Sequence, residues 1–131
     1  MIKIQNGLLI LPEFSEAIQE LMSIKIDVKS CLLISTVIED IEAQIDVVNR
    51  SKRMVINKYC IKDEKGSPKI DAEGSALFDN DEIREQCLKD IEDIMVEKFE
   101  LRIKDKIKIP GSEEFTTKYF ILLKDIISVE E

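Results

Sequence analysis

Arg102, Lys104, Lys106 and Lys108 place a cation at every second residue, and Leu101, Ile103, Ile107 and Ile109 fill alternate positions. Asp105 is the one exception in the apolar phase. A period of two puts the cations on one face of a half-buried strand. Such a face can hold an anionic ligand or an acidic surface; on an edge strand, lysines also block edge-to-edge pairing. The opposite chemistry gathers at Asp90, Glu92, Asp93 and Glu97. A carboxylate group of this kind can dock a basic protein groove, bind a metal, or simply solvate a helix face. Residues 61–100 carry 13 acidic and 6 basic side chains, against 8 and 7 in residues 1–60 and 6 and 6 in residues 101–131. Nearly all of the net charge of −8 therefore lies in the middle segment.

The remaining chemistry is sparse. The chain has no histidine, so the commonest general base, the Ser-His and Cys-His pairs and the commonest zinc ligand are missing. Cys31, Cys60 and Cys87 are odd in number and widely spaced, as expected of reduced cytoplasmic thiols rather than a zinc site or a disulfide framework. Four glycines supply neither GxGxxG nor GxxxxGK[ST]. Asp63, Glu64, Asp71 and Glu73 lack the ligand spacing of a calcium loop. The expectation is no catalytic residue, no cofactor and no metal. The negative charge argues against direct nucleic-acid binding, no stretch approaches a membrane span, and no secretory signal is read at the N-terminus.

One domain spanning residues 1–131 must position these groups. Asn6-Gly7 between two apolar segments predicts an N-terminal hairpin over residues 2–11, with Ile4 opposite Leu9 and Ile2 opposite Leu11. Pro12 opens a short helix burying Phe14, Ala17, Ile18, Leu21 and Met22. No glycine or proline interrupts the next 53 residues, from 13 to 65. A long helix over 27–59, capped by Asp27, carries a seam of Cys31, Ile34, Ile38, Ile41, Ile45 and Val48. Two similar turns, beginning at Asp63 and Asp71, follow it. A second helix, capped by Asp79 with Glu82, runs to about residue 99 and folds back to cover the seam. The basic–apolar strand near 100–109 then joins the hairpin, and a helix over 112–131 closes the chain, with Phe115, Tyr119, Leu122 and Ile126 on one face.

Several of these segments occur together in IKIQNGLL at residues 2–9, IKIDVKS at 24–30 and KYCIKDEKGSPKI at 58–70, with an acidic helix and a basic strand behind them. In pattern and order the chain resembles a family of small proteins of unknown function encoded by tailed phages and prophages of Gram-positive bacteria. The resemblance implies a phage or prophage origin and action in the host cytoplasm. It carries over no site residues.

The expected fold is α+β, a long antiparallel helical hairpin packed with a small antiparallel sheet and a C-terminal helix. The expected function is a non-enzymatic interaction protein, working by contacts with a phage or host protein in virion assembly or in host inhibition. Its candidate surfaces are Arg102, Lys104, Lys106 and Lys108, and Asp90, Glu92, Asp93 and Glu97. A homodimer is expected, because Leu33, Val37 and Val47 make the stripe of the long helix too wide for one partner helix. Two other readings are a small-ligand binder that sequesters an anionic nucleotide signal, and an enzyme using carboxylates and a metal.

Overall fold

The computed structural model describes residues 2–110 and 117–130. The chain builds β1 (Lys3–Gln5), α1 (Asn6–Leu9), α2 (Pro12–Ser23), α3 (Val28–Tyr59), α4 (Asp81–Val96), β2 (Lys98–Glu100), β3 (Ile107–Pro110), α5 (Thr117–Leu122) and β4 (Ile127–Glu130). The class is α+β, with one long helix and two sheets of two strands.

α3 starts where its cap predicts: the Asp27 carboxylate accepts the Ser30 N–H at 2.7 Å. Its 32 residues span about 48 Å. The buried line is Ser30, Ile34, Val37, Ile41 and Val48, rotated from the expected seam. Cys31 is exposed, and Ile38 and Ile45 are only half-buried. The rotation follows from the cover. α3 packs against α1, α2 and β3 as well as α4, and the buried residues Ile34, Val37 and Ile41 of its first half join the main core cluster. Val37 and Leu33 are thus covered within the chain, while Val47 stays exposed. Pro12 opens α2 as predicted, and Phe14, Ala17, Ile18 and Leu21 are buried, but Met22 faces outward.

The N-terminal hairpin does not form. Asn6 and Gly7 begin α1, and β1 pairs antiparallel with β2 through Lys3↔Glu100, Ile4↔Phe99 and Gln5↔Lys98. The two residues serve a long-range contact instead of a turn. Asn6 is buried, and its side-chain N–H₂ donates to the Ile94 carbonyl at 2.9 Å near the end of α4. Its backbone N–H donates to the Glu97 carbonyl at 2.9 Å. Asn6 thereby satisfies carbonyls that a helix C-terminus leaves open. Its own Oδ1 accepts from Gln44 of α3 at 3.0 Å. A Cβ at Gly7 would stand 3.3 Å from the Met95 carbonyl oxygen, so glycine permits the close approach of α1 to α4.

The strand expected near 100–109 breaks in two around Asp105, the residue that interrupts the alternation. β2 ends at Glu100, Leu101 and Ile103 are buried in irregular chain, and β3 resumes at Ile107. The closing helix is shorter than expected. α5 ends at Leu122, and β-branched Ile127 and Val129 then pair in parallel with β3, Ile107 facing Ile127. Among the described residues there are therefore two sheets, one of them parallel, where a single antiparallel sheet was expected. Phe115 lies outside the described residues. The Tyr119 hydroxyl donates to Glu16 at 2.8 Å and ties α5 to α2.

The second half of α3, the loop and α4 form an arm outside the main core cluster. α4 folds back on α3: Tyr59 meets Asp90, and farther along both helices Asn6 bridges Gln44 and Ile94. The cap of α4 is Asn80, whose Oδ1 accepts the Ile83 N–H, and not Asp79; the helix ends at Val96, before Phe99. At the tip, Asp63 accepts the N–H groups of Lys65 and Ser67, and Asp71 those of Glu73 and Ser75. Gly66 and Gly74 complete the two turns at φ 83° and 84°, a region that favours glycine. Three residues spaced by eight then close a ring: Lys69 N–H donates to Ile61, Leu77 N–H to Lys69, and Ile61 N–H to Leu77.

Candidate functional site

The four cations of the basic face separate in the structure. Arg102 turns back onto α3. Its Nε donates to Asp40 at 2.6 Å, its backbone N–H donates to the same carboxylate at 3.0 Å, and its guanidinium lies 3.2 Å from Glu39. The Asp40 carboxylate holds the guanidinium above its ordinary range. Arg102 is therefore a clamp between α3 and the irregular chain after β2. Lys104 and Lys106, in the irregular chain, and Lys108, in β3, line a cleft of about 500 Å³. Lys29, from the first turn of α3, joins them from the opposite wall. Among the described residues none of these four lysines makes an ion pair.

The cleft has an apolar floor of Leu33 and buried Ile103, and two acids, Asp27 and Asp105, on its lining. Hydrogen bonds from Ser30, with Lys29 nearby, hold the Asp27 carboxyl below the usual carboxylate range. It is thus an anion already committed to the end of α3. Among the described residues, four lysines and two aspartates leave the lining two charges positive in a chain of net −8.

The acidic candidates lie elsewhere, on the arm. Glu92, Asp93 and Glu97 are exposed, and Glu97 takes part in the fold through its backbone carbonyl. Asp90 is set apart from them. It accepts the Tyr59 hydroxyl at 2.5 Å and the Gln86 amide at 2.9 Å. The Tyr59 bond pulls the Asp90 carboxyl below its ordinary 3.8 and pushes the Tyr59 phenol up. Burial raises the neighbouring Cys87 thiol, with Asp90 and Cys60 adding to the effect. Among the described residues no group of three or more acids and cysteines has the arrangement to hold a metal ion. No helix is long and apolar enough to cross a membrane among those residues.

The Tyr59–Asp90 pair has a pH signature. A carboxyl with a depressed folded pKa contributes stability above its unfolded value, and loses it as pH falls through the folded one. The contribution is then complete above about pH 4 and fades below. Tyr59→Phe is expected to move the Asp90 midpoint up towards 3.8, read by carboxyl NMR titration. An unchanged midpoint would show that the hydroxyl is not its cause.

Lys29 is the site residue that sequence periodicity misses, because it belongs to a helix seventy-odd positions from the strand it faces. Its one local signal is the Asp27 cap, which sets Lys29 in the first turn of α3. No family model, curated protein or solved structure matches the chain.

Proposed function

We propose that this chain is a non-enzymatic phage or prophage interaction protein that acts through protein–protein contacts, in virion assembly or by inhibiting a host protein. One observation carries the reading. The loop and α4, residues 61–96, hold 11 acidic and 5 basic side chains and form the acidic side of an arm apart from the main core, whose tip is fixed by a closed ring of backbone hydrogen bonds. A rigid, acidic projection suits docking to a basic protein groove, since complementary charge speeds encounter and sets register. The phage origin rests on the resemblance of the strand, turn and helix-start segments.

The arm also exposes Val47, Met54 and Leu88, which supports self-association, and a homodimer is the form we expect. Sedimentation that returned a clean species of 15.1 kDa would reject it.

The deciding experiment is affinity capture from infected or induced host cells, comparing the native chain with a variant neutralised at Glu92, Asp93 and Glu97. The native chain is expected to retain a protein that the neutralised arm loses. Recovery of no partner, with no phenotype on deletion of the gene, would remove the basis of the proposal.

A further inference from the structure

We infer that the cleft between the start of α3 and residues 103–108 binds a small organic anion carrying two or more phosphoryl charges, of nucleotide size. This site is separate from the arm, and the docking role of the arm neither requires nor excludes it.

Charge is the first argument. Arg102 shows that a cation of this strand face can be neutralised by α3, through Asp40 and Glu39. Lys29, Lys104, Lys106 and Lys108 instead converge on one cleft without an ion pair among the described residues. Like charges gathered in a concave site raise the local positive potential and concentrate anions there. Among the described residues the two aspartates of the lining reduce its balance to +2, which favours an anion of two or more charges over a monoanion. The helix end is not the binding element, because Asp27 already occupies it. The ammonium groups carry the anion, as point charges suited to phosphate.

Size is the second argument. About 500 Å³ lies within the range of small-molecule sites and exceeds what a bare phosphate fills. Leu33 and Ile103 give the floor an apolar surface on which the organic part of the ligand can lie. All four lysines are exposed at the rim, so they can be replaced without disturbing the core.

The test is isothermal titration of the full chain at low salt with three probes: a nucleoside triphosphate, inorganic pyrophosphate and a hexaglutamate peptide. The triphosphate is expected to bind most tightly and to weaken as salt rises. Lys104→Gln and Lys106→Gln should each weaken it about tenfold, the loss of one charge-assisted contact. Lys62→Gln, at the tip of the arm, should leave it unchanged. Lys29→Gln is the further variant if either of these substitutions lowers the melting temperature. Absence of heat with both phosphate probes would overturn the site, as would an equal loss in Lys62→Gln. Pyrophosphate matching the triphosphate would overturn the organic half of the ligand, and hexaglutamate matching it would overturn the phosphoryl class. None of these outcomes bears on capture of a protein by the arm.

Discussion

Asn6→Leu is expected to cost about 2–6 kcal/mol of stability, from two part-buried polar groups left without partners at about 1–3 kcal/mol each. The leucine keeps a similar volume but cannot donate to the Ile94 carbonyl or accept from Gln44. Both contacts join the arm to the rest of the chain, because Ile94 belongs to α4 and Gln44 to α3. The loss should therefore be uneven. Hydrogen exchange is expected to accelerate first in α4, with α2 and the buried part of α3 protected to the end. Urea unfolding gives the magnitude. Asn49→Leu, at an exposed position of α3, should change little. A cost below about 1 kcal/mol at Asn6 would mean that water replaces both partners.

Phe14→Ala is expected to cost about 3–5 kcal/mol, as large aromatic truncations in a core do. Phe14 is 2% exposed. It borders a small surface niche of about 130 Å³ shared with Leu9, Ile18 and Ile41. Truncation removes the packing contacts of the ring and leaves a hole beside this niche, and both cost stability. Domains of this size have about 5–15 kcal/mol in total, so the variant should lose a fifth or more of it. Calorimetry and urea midpoints measure the effect. Unlike the Asn6 variant, this one should speed exchange throughout the main core. Ser15→Ala, beside it on the exposed side of α2, is the control expected to stay within about 0.5 kcal/mol.

How far the sequence reveals this fold depends on whether a residue's partner is near in the chain. Pro12, the Asp27 cap and the paired turns at Asp63 and Asp71 each depend on neighbours within a few positions, and each is readable. Asn6-Gly7 is a strong local turn signal overridden by contacts to residues 94–97, which no local pattern contains. The same holds for Ile127 and Val129. Their apolar spacing continues a helical face, yet β3 recruits them as a strand. Asp105 was visible as the exception in the alternation, and it marks the place where the strand divides. In the site, alternation reveals Lys104, Lys106 and Lys108 together. The departure of Arg102 depends on Asp40, and the arrival of Lys29 depends on how α3 lies across the strand. Both are tertiary facts.

The pairing of β1 with β2 also sets an order in time. Ile4 faces Phe99, and the Asn6–Ile94 bond closes a loop of 88 positions. Long closures are slow, because the chain must surrender its freedom before the contact repays it. The arm has no such delay, since its turns and ring join residues no more than sixteen apart. During synthesis the first strand is therefore expected to wait, unpaired, until nearly a hundred residues have followed it. β1 acts as the latch of the fold, and a chain interrupted before residue 98 would have nothing for it to close on.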